Sequence, residues 1–486
     1  MHINKVKTLQ RREFLRRTAA IGLAGTASNL ALSLAGIGEA AAQSSPADDY
    51  KALACVFLYG GNDHDNTFVP YDSTSHASYQ TLRNVGEAAA NIYVPPSALT
   101  ALSASGLPSG RQYAVQRAMG SLAALYESTK MGILLNVGPL AKPTTKNDYK
   151  YAKTGDLPPK LFSHNDQFSL WQSGVLEGAE GTTQGWGGRI GDLFLGSDKK
   201  AHFTCINAAG NAVFMSGQNV LPYQVTSKGA VPIDSLTYSS GVYGIPACKT
   251  ALGTLLKVAP SHWMEKEWAR MINSSIDNQK TVTNSLLTDP SFTTSFANDN
   301  LSAQLQIVAR LIQARSNLAV KRQVFFVSLG GFDHHDGLKN AHAGANGNGG
   351  LLKMVNDAMN SFYKATEQLN IADQVTAFTA SDFGRTLSSN GDGSDHGWGS
   401  HHMVMGGAVD GGKFWGNAPD LSTTEFALDG PDTVGQGRLL PSTSVDEFAA
   451  ALARWMGVSD SDLATVLPNY ARFSGKAPLP IFKTTA

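Results

Sequence analysis

Cysteine is scarce: Cys55, Cys205 and Cys248 are the only three in 486 residues. They permit one disulfide at most, so this is no disulfide-stapled scaffold. No Cys-x-x-Cys pair is present, which argues against a structural thiolate zinc knuckle and rules out haem attachment through Cys-x-x-Cys-His. Charge is sparse and balanced, with 39 basic and 39 acidic residues, so no nucleic acid or other polyanion is expected as a partner. Beyond the first forty-odd residues no apolar run is long enough to span a bilayer, and no stable membrane span is expected in the mature chain. There is no Gly-x-Ser-x-Gly elbow, which argues against an ordinary serine-hydrolase triad. No internal repeat is visible. Glycine is plentiful, at 49 residues, and suits a loop-rich globular enzyme.

The N-terminal stretch has three parts. Gln10-Arg11-Arg12-Glu13-Phe14-Leu15-Arg16 sets an arginine pair ahead of Phe-Leu. A weakly hydrophobic stretch from Thr18 to about Ile37 follows, and Ala40-Ala41-Ala42 ends it with small residues. Basic start, apolar middle and small-residue end make a removable twin-arginine signal, residues 1–42. The expectation is export by the twin-arginine (Tat) machinery to the periplasm or beyond, with cleavage near Ala42. Gly, Ser, Thr and Asn interrupt the apolar stretch, which counts against a retained membrane anchor.

Residues 43–486 read as a single α/β domain. Leu53–Tyr59, Gly132–Val137, Gln323–Leu329, Val375–Thr379 and Met403–Met405 are short apolar runs without alternation, as strands covered on both faces require. Helical patterns lie between them, from Leu301 to about Leu318, Leu351 to about Leu369, and Val445 to Trp455. Ser444 and Glu447 suit a capping box for the last. This alternation predicts a mostly parallel sheet with helices on both sides. Residues 72–130 read as helical with breaks, 201–250 as a β-rich insertion, and His335 to Gly350 as a mobile loop.

Eleven of the twelve histidines lie beyond residue 42, and seven of them fall in four short stations. These are His64 in Asn62-Asp63-His64-Asp65, His164 in Ser163-His164-Asn165-Asp166, His334 and His335 in Asp333-His334-His335-Asp336, and His396, His401 and His402 after Asp395. Asp382 makes a fifth. Each has a plainer reading. Gly60-Gly61-Asn62-Asp63 suits a tight turn, Ser163 a helix N-cap, and Asp382 a cap paired with Arg385. The 395–402 run suits a solvated loop, and His402 suits packing. Together, at one edge of one sheet, the stations favour a site. Imidazole with carboxylate and no thiolate suits a hard or borderline divalent metal; zinc, manganese, magnesium and calcium are not distinguished. A set this rich could hold two metals.

Gly60-Gly61-Asn62-Asp63 with Val69-Pro70-Tyr71, Ser163-His164, Gly185-Trp186 with Arg189, and Gly330-Gly331-Phe332-Asp333 open an ordered motif series. Asp382-Phe383-Gly384-Arg385-Thr386, Asp395-His396-Gly397, Gly406-Gly407 and Ser444-Val445-Asp446 complete it. Over about residues 50–475 this order resembles the bacterial domain-of-unknown-function-1501 family (DUF1501), which in turn resembles the alkaline phosphatase and sulfatase superfamily. The resemblance implies an alkaline-phosphatase-like three-layer αβα sandwich with loop-rich insertions. It also implies a metal-dependent hydrolase of phosphate or sulfate esters, small or polymeric. By position, Asp63, Asp333, His335, Asp382, Asp395 and His396 would be metal ligands. Ser163 would be the nucleophile, with His164 beside it, and Arg385 or Arg189 would bind the non-bridging oxygens.

The sequence departs from that pattern. Asp333 and His335 are two residues apart where alkaline phosphatases space the pair by four. Phe383 follows Asp382 where a histidine is expected, leaving His164, His401 or His402 to substitute. No Cys-x-Pro-x-Arg or Ser-x-Pro-x-Arg is present, so sulfatase chemistry by the usual modified residue is not expected. The missing histidine motivates an alternative: a non-catalytic metal- or ligand-binding envelope or secretion-associated protein.

Overall fold

The computed structural model describes residues 49–86, 91–176, 182–196, 201–232, 244–255, 262–288, 293–344, 347–473 and 475–484. The twin-arginine segment lies outside them. A ten-stranded sheet carries the fold. Its main strands are β1 (Lys51–Leu58), β5 (Met131–Gly138), β9 (Arg322–Leu329), β10 (Val375–Ser381) and β11 (Ser400–Gly406). β1 pairs parallel with β9 on one side and β10 on the other, in register from Lys51 or Ala52 to Leu58. β11 runs antiparallel between β10 and β5.

Alternate residues of β1 enter different cores. Ala52, Ala54, Val56 and Leu58 pack with Leu301, Leu305 and Val308 of the helix Asn300–Gln313, and with Val355, Met359 and Phe362 of the helix Gly350–Gln368. Leu53, Cys55 and Phe57 pack on the opposite face, with Val445, Phe448 and Leu452 of the helix Val445–Met456 and with Trp186 and Ile190. Both faces are therefore covered, which makes three αβα layers and explains the continuous apolar runs. Each large side chain buried this way stabilises by roughly 1.5–3 kcal/mol. Ser444 caps the helix Val445–Met456 in a capping box with Glu447, as the sequence predicts.

Several regions differ from their sequence reading. Residues 72–130 include the helix Ser73–Arg83, but also β3 (Leu99–Ala101) and β4 (Tyr113–Gln116), which form a small antiparallel sheet with β2 (Phe68–Pro70). Strands of three or four residues are too short for a period to show. In the 201–250 stretch, β6 (Cys205–Asn207) pairs with β9 and extends the central sheet, followed by β7 (Tyr223–Thr226) and β8 (Gly229–Ala230). Residues 233–243 of this reading lie outside the described residues, and the helix Pro246–Leu255 begins near its end. The His335–Gly350 segment contains a short helix, Leu338–Ala343. His401 and His402, at the end of the 395–402 run that reads as a solvated loop, lie inside β11, and both are buried.

Candidate metal centre

The site lies at the carboxyl ends of the central strands, where open α/β sheets place their ligands. Past the end of β9, Gly330-Gly331-Phe332 carries the chain to Asp333 and His335, while Asp382 directly follows β10. The connection from β10 to β11 folds back, with an antiparallel bridge between Arg385 and His396. His164 opens the helix His164–Ser173. Gly60, just after β1, has φ +115°, and a Cβ there would come within 2.4 Å of the Asp333 backbone nitrogen. Only glycine permits that approach.

Three donor groups converge. His164 Nε2 lies 3.1 Å from His396 Nε2 and 3.3 Å from Asp333 Oδ2, and Asp333 Oδ1 lies 3.3 Å from His396 Nε2. The two edges to Asp333 end on different oxygens, so His164 and His396 face the two sides of one carboxylate, and one ligand atom from each of the three residues lies within 4.8 Å of the others. His335 Nε2 closes a true triangle with His396 Nε2 and Asp333 Oδ1, at 3.0 and 3.2 Å, and a triangle of that size leaves a point about 2 Å from each donor, the bonding distance of zinc to nitrogen or oxygen. His396 has one Nε2 lone pair to give, so the His164 and His335 sets share one cation position at a time.

Why the Nε2 atoms face each other is visible behind the rings. His164 Nδ1 lies 2.6 Å from Asp382 Oδ2, His335 Nδ1 lies 3.2 Å from Asp395 Oδ1, and His396 Nδ1 donates to the Phe162 carbonyl at 2.7 Å. A carbonyl only accepts, so the His396 proton sits on Nδ1 and its lone pair on Nε2. The two carboxylates impose the same tautomer on the other rings when these are neutral. Three lone pairs and a carboxylate pointed together repel one another unless a cation or protons intervene. The donor set and its anchoring therefore fit a divalent metal.

The electrostatics agree. Burial opposes ionisation of Asp333, but the Arg385 hydrogen bond and the positive charges around it prevail and hold its pKa at about 2. The Asp382 hydrogen bond raises the His164 pKa against burial. Burial lowers that of His396. The centre faces solvent on the Asp333 and His335 side, whose side chains are 43% and 48% exposed.

The other sequence candidates stand elsewhere. Asp63 is not at the cluster: it is fully buried in a two-pronged pair with Arg83, at 2.5 and 2.8 Å, so both carboxylate oxygens are engaged. Asp382 and Asp395 stand behind histidines instead of pointing to the centre. Arg385 is fully buried, and its donors go to Asp333 at 2.7 Å, the Gly60 carbonyl at 3.3 Å, and the Ser394 carbonyl and hydroxyl. It has no fork left for a substrate oxygen. Arg189 is spent on the Val466, Ser173 and Gln184 carbonyls. Ser163 occupies the N-cap position, with Oγ donating to Asp166 Oδ2 at 2.7 Å. His334 turns toward His342, with ring centroids 5.5 Å apart, while His401 Nδ1 accepts from the Asn136 N–H. His402 packs on Trp171. Of the three candidates for the missing histidine, the fold brings His164 to the centre. Sequence reasoning missed the Phe162 carbonyl and the Arg83 partner of Asp63, and neither position carries a local signal.

No curated protein matches this chain. Solved structures with similarity include Ps i-CgsB in complex with k-i-k-neocarrahexaose, at 10% identity and TM-score 0.36, covering 89% of this chain and 78% of that one. The C-terminal periplasmic domain of EcEptC from Escherichia coli, in complex with Zn, matches at 10% identity and TM-score 0.34, covering 87% and 88%. The soluble domain of lipooligosaccharide phosphoethanolamine transferase A from Neisseria meningitidis matches at 10% and 0.33, covering 87% and 92%. Likeness at this level carries no argument about activity. The sequence match is more specific, and its segment contains Asp333, His335, Asp382 and His396 but not His164. Residues 267–467 match the model of the family described as protein of unknown function (DUF1501).

Proposed function

We propose that this chain is an exported, metal-dependent hydrolase of phosphate or sulfate esters. The observation that carries the reading is the cluster of His164 Nε2, His396 Nε2 and the Asp333 carboxylate, each imidazole anchored from behind at Nδ1. A divalent cation held by these residues would supply a Lewis acid for an ester oxygen and for developing negative charge. Three protein ligands with an open side suit a catalytic site better than a closed structural one.

The chain's own groups do the rest. Asp382 and the Phe162 carbonyl keep the His164 and His396 lone pairs aimed inward, and Arg385 keeps Asp333 ionised and in place. Ser163 is the proposed nucleophile. It precedes His164 at a helix start, where free N–H groups favour an anion. Asp166 Oδ2, at 2.7 Å, is placed to hold the Ser163 proton. Delivery by the Tat machinery follows from the signal in residues 1–42. Among the described residues no helix is long and apolar enough to cross a membrane.

The engagement of the Ser163 hydroxyl by Asp166 favours a second reading, a non-catalytic envelope protein that keeps the metal for structure or ligand binding. One experiment separates the two. Purified mature protein is analysed for metal, then assayed on p-nitrophenyl phosphate, a phosphodiester and an aryl sulfate, with Ser163→Ala alongside. Bound metal with turnover that Ser163→Ala abolishes supports the hydrolase. Metal without turnover on any substrate supports the second reading, and absence of metal sinks both.

A further inference from the structure

An ester hydrolase needs a cation to receive the non-bridging oxygens, and the arginines expected in that role are fully engaged. Arg385 and Arg189 give their donors to the protein, and Arg83 is closed onto Asp63, Leu387 and Thr386. Arg438 differs. It follows Gly437 in the short turn bridged by Thr433 and Leu439, and it is half-buried. Its Nε donates to the His396 carbonyl at 2.8 Å. Its guanidinium lies over the Phe162 ring, 4.9 Å from the centroid. These are the residue that brings Nε2 to the centre and the residue whose carbonyl aims that ring.

The two contacts fix the guanidinium against the His396 backbone and the Phe162 ring. Among the described residues no hydrogen bond or ion pair engages Nη1 or Nη2 of Arg438, and Asp395 is the carboxylate within its electrostatic reach. A planar pair of N–H groups on a residue bonded to the His396 backbone matches two oxygens of a tetrahedral anion. The Phe162 ring stiffens the guanidinium by stacking, which lowers the ordering cost of binding. Lys160 is less suited: its flexible ammonium lies 3.6 Å from Asp166.

We propose that Arg438 is the oxyanion-recognition residue of this centre and makes it selective for esters bearing a tetrahedral anion. The proposal rests on the hydrolase reading for its substrate class, but it concerns binding and is tested by binding. Calorimetric titration of metal-loaded mature protein with inorganic phosphate, and separately with sulfate, is compared with Arg438→Gln and Arg438→Lys. The expected result is about tenfold or greater weakening of the preferred anion in Arg438→Gln, with metal content unchanged. Arg438→Lys, which keeps the charge without the fork, is expected to fall between. Phosphate and sulfate binding at wild-type strength in Arg438→Gln overturns the proposal. So does loss of the metal in that variant, which would mean that Arg438 acts through His396. Failure of the wild type to bind either anion overturns it too. Anion binding that weakens in Arg438→Gln, in a protein that turns over no ester, supports this site and sinks the hydrolase reading. Ester turnover with an unchanged KM in Arg438→Gln leaves the hydrolase reading standing and overturns this site.

Discussion

Asp382 stands directly behind His164, its Oδ2 2.6 Å from the ring Nδ1 and 3.1 Å from the Gly60 N–H. The carboxylate is buried, and its other oxygen, Oδ1, has no partner among the described residues. Two fixed donors meet one oxygen, so the ring of His164 is oriented by the end of β10 and the turn after β1 together. A residue that reads in sequence as a ligand thus holds the His164 ring from behind.

Asp382→Asn keeps the shape but removes the charge that orients and polarises His164. Loss of such a partner typically costs 10–100-fold in metal affinity. Chelator competition on the purified variant should show a drop in that range with the fold retained. Unchanged affinity would remove Asp382 from the supporting role.

Asp63 and Arg83 give a contrasting prediction. Arg83→Met leaves a carboxylate buried without its partner, which costs on the order of 3–5 kcal/mol of stability. The double variant Asp63→Asn/Arg83→Met should recover part of that loss. Urea unfolding measures both, and the folded fraction of each should keep wild-type metal content. Metal loss in Asp63→Asn at unchanged stability would instead make Asp63 a ligand.

Metal retention should depend on pH through His164. Its pKa is raised by the Asp382 hydrogen bond, so a proton competes for Nε2 at higher pH than at a free imidazole, whose pKa is about 6.5. The metal-induced rise in Tm should be large at about pH 7.5 and small at about pH 5.5. In metal-free protein the sign reverses. The folded state then holds the His164 proton more tightly than the unfolded chain, a contribution present below about pH 6.5 and lost as pH rises through the folded pKa. Thermal scans with and without EDTA test both statements, and an equal metal effect at the two pH values would contradict the assignment.

Asp446, on the helix Val445–Met456, is fully buried, and burial pushes its pKa up to about 7 against the Asn469 hydrogen bond. The folded state therefore binds its proton more tightly than the unfolded chain. Its contribution declines as pH rises from about 4 to about 7. Asp446→Asn should raise stability at about pH 8 by roughly 1–3 kcal/mol and flatten that slope. A variant with the wild-type pH profile would show that Asp446 stays ionised.

Much of the frame is legible residue by residue. Leu53–Tyr59, Gln323–Leu329 and Val375–Thr379 announce strands because both faces are apolar, and the Ser444–Glu447 capping box marks its helix because capping is local. The polar stations follow those strands directly, so the edge of the sheet is legible too. The short strands β2, β3 and β4 are not, because three or four residues hold no period.

The sequence by itself determined the layered sheet, the edge at which chemistry gathers, and the imidazole-and-carboxylate character of the centre, all of which follow from local patterns. Only the tertiary structure decided which of these side chains face inward. His164 meets its orienting carboxylate across 218 residues of chain, and His396 meets the Phe162 carbonyl across 234. A ring's tautomer and direction are set by whichever acceptor lies behind it, and chain position does not reveal that acceptor until the sheet has closed.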